Sequence, residues 1–478
     1  MTLLERLGGP DTIRAGIAAE FRALNRTPHP SRHERSAVRA LTARLAELGL
    51  APVRDGHGNV MADVPAAPGR TAAPRLILQG HLDMVCAVAP GSGFDPLAEP
   101  VTVVEADGFL RSDGRSSLGA DNNLGNAAVL WLLGRGLSHG PLRLLFTAAE
   151  EVGLEGAKQV DPAWLAGADF LLNTDGFHLG RAIVGSAGGR RETYRLPLAA
   201  CPAPAGDAWR IALSGGAGGH SGDDIHRGRA NALRLLAGFL LARPDWAVAD
   251  FRGGTAHNAI PAAAEALVVL PEGGEPDLED LAREAAAYGA RDPRLTLFHA
   301  PAPRPEQVWS PLCRQAALAL TAGLFHGVYA MDPAFPDVVG ASANVGRLST
   351  EDGQIQVCAF LRSARPSWEA ELARAHDALA GTLGFSAEAS GYPGWTGDPA
   401  NPLAAVLARV YREQTGRTLE VSTVHVGLEP SVLGPKAPGL VMASTGPDIL
   451  DAHSVSERAP LDTLPDYALL LAGTLEAL

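Results

Sequence analysis

Two residues that bind metal ions well stand two apart at the end of an apolar run, His81 and Asp83 in Leu-Ile-Leu-Gln-Gly-His-Leu-Asp-Met-Val, residues 76–85. A short run of Leu and Ile closed by glycine reads as a buried strand, and residues two apart just beyond its end project to the same side. One imidazole nitrogen could take a cation while the carboxylate, directly or through a nearby group, fixes the ring. Alone the pattern is weak, because His-x-Asp after a strand arises often by chance. Recurrence strengthens it. Residues 142–147 read as a second apolar strand and lead to Glu150 and Glu151, and residues 170–173 read as a third and lead to Asp175. Asp121, in Gly-Ala-Asp-Asn-Asn-Leu-Gly, stands just before a buried helical run. An aspartate there can simply cap the helix by accepting a backbone N–H. In open α/β sheets, however, function gathers at the carboxyl ends of strands. Neither a core histidine nor scattered surface acids explain metal-binding side chains at three such ends, so the pattern points to a metal centre.

The elements that must position these residues follow from periodicity and turn chemistry. Two helical patterns flank Thr27-Pro28-His29-Pro30-Ser31, the second over residues 34–48, and residues 53–64 carry a hairpin signal around Asp55-Gly56-His57-Gly58-Asn59. After Asp175 the texture changes: Ser186-Ala187-Gly188-Gly189 reads as a hinge. Strand-like runs then follow at 209–213, 266–270, 295–298 and 354–360, with amphipathic helices at 229–242, 278–287, 312–324 and 368–383. This is the pattern of an inserted α+β domain. Gly391-Tyr392-Pro393-Gly394-Trp395 marks a second boundary, followed by a helix (402–414), strands (419–423 and 440–444) and a closing helix with Pro465 expected at its first position. The expected division is therefore a first catalytic part over 1–187, an inserted domain over 188–390, and a returning catalytic part over 391–478.

Within the insertion, Gly215-Gly216-Ala217-Gly218-Gly219-His220-Ser221-Gly222 is a glycine-rich loop carrying a histidine. It lacks the Lys-Ser/Thr of a phosphate cradle, and a histidine on a mobile domain better suits stabilisation of a developing oxyanion. Asn258 and Arg362 are further polar candidates, although an arginine taken alone is as readily a surface ion pair. His453 follows a strand of the returning segment and can complete the metal set.

The chain of 478 residues exceeds what one hydrophobic core usually serves, and 46% hydrophobic content is ordinary for a soluble globular protein. Lysine and arginine number 40 against 53 acids, a net charge of −13 that argues against nucleic acid or an anionic membrane as partner. A local basic pocket for one carboxylate remains compatible with it. Cys86, Cys201, Cys313 and Cys358 are widely scattered, as expected of reduced thiols in a cytoplasmic protein. Neither a signal peptide nor a membrane-length apolar run is evident.

Several ordered motifs together resemble a known family: His81-x-Asp83, Gly-Ala-Asp121-Asn, Glu150-Glu151-x-Gly, Asn-x-Asp175, Gly-Gly-His220-Ser-Gly-x-Asp-Ile, Asn258-x-Ile-Pro, His425-x-Gly-Leu-Glu429 and Gly-Pro-x-Ile-x-x-x-His453-Ser-x-x-Glu457. Over nearly its full length the chain resembles the aminoacyl-histidine dipeptidases (Xaa-His dipeptidases, bacterial carnosinases) among the co-catalytic zinc peptidases, relatives of aminoacylases and glutamate carboxypeptidases. The resemblance implies an α/β zinc-peptidase catalytic domain, with a mixed central sheet flanked by helices, and an inserted α+β lid. It also implies two divalent metal ions, zinc with manganese or cobalt as alternatives. His81 and Asp175 would hold one, Glu151 and His453 the other, and Asp121 would bridge them. Asp83 would orient His81, Glu150 would be the general base, and His220 would stabilise the oxyanion. Asn258 and Arg362 would hold the substrate's backbone or free carboxylate. A dipeptidase also needs an acid for the substrate's ammonium, for which Glu429 and Asp224 are the candidates. The implied partner is a small peptide, with a homodimer through the lid as a further expectation. One departure stands out: Gly176-Phe177-His178 follows Asp175, where the family commonly places acidic residues.

The expected function is hydrolysis of unblocked dipeptides of the Xaa-His or β-Ala-His type. The alternatives are an N-acyl amino acid hydrolase or carboxypeptidase on the same centre, and a non-catalytic peptide-binding protein. The last would be expected to have lost Glu150 or a ligand, and none is lost here.

Overall fold

The computed structural model describes residues 1–478. The chain divides into two compact units, Met1–Ser186 with Trp395–Thr423 and Leu428–Leu478, and Ala187–Gly394 with Val424–Gly427.

The first unit is built on an eight-stranded mixed sheet in the order 53–54, 60–64, 142–147, 76–81, 170–173, 441–444, 181–186, 420–424. Leu142–Thr147, Leu76–His81, Phe170–Asn173 and Val441–Ser444 are consecutive neighbours and run parallel. Both faces of these strands are almost wholly buried, which is why they read in sequence as unbroken apolar runs. The helix Ala120–Leu133 is buried nearly all round and packs on Leu76–His81 and on the helix Pro10–Leu24. Its close approach depends on glycine: a Cβ at Gly80 would meet Asn122 Oδ1 at 2.2 Å. The N-terminal helices, Pro10–Leu24 and Arg35–Glu47, and the antiparallel pair at 53–64 form where periodicity and turn residues place them. The expected α/β class, a mixed central sheet with flanking helices, is the class observed.

The second unit carries a nine-stranded antiparallel sheet with the path 296–301, 207–214, 264–270, 247–253, 339–351, 354–363, 188–197, 386–392, and Gly327–Met331 paired to 339–351. Helices Ala232–Leu241 and Pro311–Gly323 supply Leu233, Leu236 and Leu320 to a core shared with Phe251, Val345 and Ile355. The segment read as a hinge, residues 186–189, contains the point where the first unit ends and the second begins. Strands Arg181–Ser186 and Gly188–Pro197 leave only Ala187 between them. The two glycines there serve close packing, since a Cβ would lie 2.5 Å from Gly394 N at Gly188 and 2.6 Å from Phe360 Cζ at Gly189.

Candidate active site

Four parallel strands deliver the ionisable groups to one edge of the first sheet. His81 ends its strand; Glu150 and Glu151 lie just beyond Thr147, Asp175 just beyond Asn173, and His453 in the loop that follows Ser444. Asp121 sits between the two histidines, with Oδ1 2.9 Å from His81 Nε2 and Oδ2 2.9 Å from His453 Nε2. Asp175 Oδ1 lies 3.5 Å from His81 Nε2, and Glu151 Oε1 lies 3.0 Å from His453 Nε2. The five residues thus form two His–carboxylate pairs that share Asp121. Ligand atoms of His81, Asp121 and Glu151 all fall within 4.8 Å of one another.

The capping explanation of Asp121 does not hold. The N-cap position is Gly119, and Asp121, at φ −78° and ψ 110°, stands outside helical geometry. Capping falls to Glu457, whose carboxylate accepts from the amides of Leu118, Gly119, Ala120 and Asp121 at 2.8, 3.0, 2.8 and 3.4 Å. Glu457 ends the last of the ordered motifs, and its capping role is visible only in the folded chain. Its partners lie more than 330 residues away, and nothing local announces them.

Asp83 has a double task. Its main-chain carbonyl is 3.0 Å from His81 Nδ1, nearer than its carboxylate at 3.6 Å, so the ring is oriented chiefly through the backbone. The carboxylate itself accepts from the Ser31 hydroxyl (2.7 Å) and from the amides of Glu150 (2.9 Å) and Glu151 (3.2 Å). It therefore fixes the segment carrying both glutamates. Glu429 departs from expectation. It is 0% exposed, with Oε2 accepting from Thr147 Oγ1 at 2.8 Å and from Gln79, while Oε1 is buried without a partner. His178 is exposed.

Burial pushes the carboxyls of Glu150 and Asp175 well above the usual range, reinforced by neighbouring acids and opposed by His81. Burial likewise takes Glu151 up to about 7. Burial opposes the charge of His453, yet its hydrogen bonds to Asp121 and Glu151 raise it to about 11. Asp121 is likewise penalised by burial and brought below its ordinary value by His453 and His81. Crowded, desolvated carboxylates with two imidazoles are what divalent cations relieve, and two nitrogen and three carboxylate ligands suit borderline metals such as zinc. The donor set fits the implied metals.

In the second unit the structure brings His220, Asn258 and Arg362 together. The amide of Ser221 donates to the Asn258 carbonyl at 2.8 Å, and His220 bridges to Ala259. Arg362 is 4% exposed, lies over the Phe360 ring, and donates to Ser221 Oγ at 3.2 Å and to His220 Nε2 at 3.0 Å. A guanidinium has only donors, so Nε2 accepts from it, while Nδ1 faces the amides of Gly222 (3.4 Å) and Asp223 (3.3 Å) and lies 3.2 Å from Asp223 Oδ2. Asp224 pairs with Arg227 and Arg229 and accepts the His220 amide at 2.9 Å, shaping the loop that carries the histidine.

A model of peptidase family M20/M25/M40 matches residues 77–477. The chain is 31% identical over 460 residues to the cytosol non-specific dipeptidase of Escherichia coli K12, covering 94% of each protein. Among solved structures it resembles the aminoacylhistidine dipeptidase of Vibrio alginolyticus, with a TM-score of 0.84 at 31% identity over 97% of this chain and 96% of that one. It shares its fold with aminopeptidase PepT of Bacillus cereus, with a TM-score of 0.57 at 17% identity over 97% and 98% of the two chains. No helix is long and apolar enough to cross a membrane.

Proposed function

The chain belongs to peptidase family M20/M25/M40, and on that premise we propose that it is a two-metal dipeptidase hydrolysing unblocked dipeptides, Xaa-His dipeptides among them. The observation that carries the reading is Asp121, whose two oxygens each face a histidine that has its own carboxylate partner. The names of the Escherichia coli and Vibrio relatives support a dipeptide substrate, and the Vibrio name supports histidine at the second position. Four free thiols and the cytosolic relative favour a cytoplasmic location.

His81 and Asp175 would hold one ion and His453 and Glu151 the other, with Asp121 shared. When bound, divalent ions supply Lewis acidity toward the scissile carbonyl and toward a water. Zinc is the proposed metal, with manganese or cobalt as alternatives. Glu150 stands beside the ligand Glu151, its amide held by Asp83, so its carboxylate can accept the proton of the attacking water and return it to the leaving amine nitrogen. We assign Arg362 to the substrate's free carboxylate, with Asn258 beside it for the peptide backbone and His220 for the carbonyl oxygen.

A second reading is favoured by one observation: with Glu429 enclosed, no acid is assigned to a substrate ammonium. A blocked N-terminus, as in an N-acyl amino acid, needs none. The test is hydrolysis of β-Ala-His, Gly-His and Leu-Gly, free and N-acetylated, by metal-refilled protein beside Glu150→Ala. Cleavage of the free peptides alone, lost in the variant, is the expected result. Equal turnover of the acetylated forms would count against a dipeptidase.

A further inference from the structure

The first unit contains a cavity of about 910 Å³ lined by residues of the 32–39, 54–58 and 149–159 segments. Its lining carries Arg32, Arg35, Arg39, Arg54 and Lys158 against Glu34, Asp55 and Glu155, a positive excess in a chain of net charge −13. The three acids are already engaged. Glu155 pairs with Arg32 at 2.6 Å, Glu34 accepts from the amides of Arg32 (2.7 Å) and Ala149 (3.0 Å), and Asp55 accepts from the amides of His57 and Asn59 at 2.8 and 2.9 Å. Arg35, Arg39 and Arg54 have no carboxylate partner.

Local electrostatics disfavours this arrangement. Arg35 is the first residue of the helix Arg35–Glu47, directly after the N-cap Glu34, whose carboxylate makes no cap hydrogen bond to this helix and is taken up by the amides of Arg32 and Ala149; the helix dipole there repels a cation. Arg39 follows one turn later on the same face, and like charges four apart on a helix are destabilising. Three exposed guanidiniums without carboxylate partners thus stand on one concave surface, and their planar forks match phosphate oxygens in pairs. The cavity has the volume of a small-molecule site, and the acidic chain speaks against an extended polyanion.

We propose that this cavity is a binding site for a small molecule bearing a polyphosphate group, held by Arg35, Arg39 and Arg54 and separate from the metal centre. The site has a direct connection to the Glu150 segment. Ala149 lines the cavity and donates to Glu34, and Asn59 links the 55–59 loop to the amide of Ala148 (3.1 Å) and the carbonyl of Gly156 (3.0 Å).

The test is calorimetric titration of the metal-loaded full chain with inorganic triphosphate and with a nucleoside triphosphate. Both are given as magnesium complexes so that they do not strip the site metals. One equivalent should bind, more weakly as salt is raised, and Arg39→Ala/Arg54→Ala should weaken binding at least tenfold with a melting temperature no lower than that of the native chain. Equal affinity for the two ligands would assign recognition to the phosphate chain, and tighter nucleotide binding would assign part of it to the nucleoside. Absence of binding at millimolar ligand, or equal binding by the double variant, would overturn the proposal.

Discussion

The carboxylate of Glu457 binds the main chain of Asp121 and of the three residues before it, while standing four residues after His453 in the sequence. One side chain thereby anchors the main chain of Asp121 from a position close in sequence to His453, whose Nε2 lies 2.9 Å from Asp121 Oδ2. Two of the N–H groups that Glu457 satisfies, those of Ala120 and Asp121, belong to the first turn of the helix Ala120–Leu133 and have no partner within it; the other two lead into it.

Glu457→Ala should therefore cost roughly 3 kcal/mol or more, since buried amides left unpaired forfeit about 1–3 kcal/mol each. Metal affinity should fall about 10–100-fold, the usual effect of losing a group that positions ligands. Urea unfolding of the stripped protein reads the first effect and chelator competition the second. Glu457→Gln keeps one acceptor oxygen and should fall between Glu457→Ala and the native chain.

The adjacent glutamates should separate cleanly. Glu150→Gln is expected to keep its metal while kcat drops by about 10²–10⁴, the range for loss of a positioned base. Glu151→Gln should instead lose metal. Elemental analysis beside steady-state kinetics decides the matter, and metal loss in Glu150→Gln would place Glu150 among the ligands.

His220 and Arg362 should act as a unit, because His220 Nε2 accepts a hydrogen bond from the guanidinium at 3.0 Å. A substrate carboxylate that engages Arg362 would draw this donor away and leave Nε2 able to carry the ring proton and donate it to the carbonyl oxygen. His220→Ala and Arg362→Ala should each lower kcat/KM, and the double variant should lose less than the sum by about 1–2 kcal/mol. Arg362→Ala should also discriminate less between a dipeptide and its C-terminal amide.

Acid should weaken the second unit through His326. Burial, then the nearby Arg234, brings its pKa down to about 3, from 6.5 in an unfolded chain. The native state binds this proton less readily than the unfolded state does. The contribution of neutral His326 is therefore fully present above pH 6.5 and is lost progressively as pH falls toward about 3. His326→Gln should show a shallower drop in melting temperature between pH 7 and 4; identical slopes would remove His326 as a source of acid lability.

By itself the sequence determined which residues can do chemistry and the strand ends from which they project. Leu142–Thr147, Leu76–His81 and Phe170–Asn173 are fully or nearly fully buried, so their apolar runs and the polar residues just beyond them stand out in a linear reading. Other strands do not announce themselves. Val339–Glu351 runs through Gly340, Ala341, Ser342, Ala343, Asn344 and Gly346, residues of modest strand preference, and is a strand because its neighbours pair with it and pack close: a Cβ at Gly346 would lie 2.5 Å from the His257 carbonyl. The supporting contacts were equally hidden. Glu457 on the 118–121 amides, the Asp83 carboxylate on those of Glu150 and Glu151, and Glu429 enclosed by Gln79 and Thr147 all join residues far apart in the chain. Side-chain chemistry and periodicity are local properties, legible from the string of residues. Which buried carboxylate meets which amide depends on how parallel strands and their loops pack, and tertiary structure alone decides that.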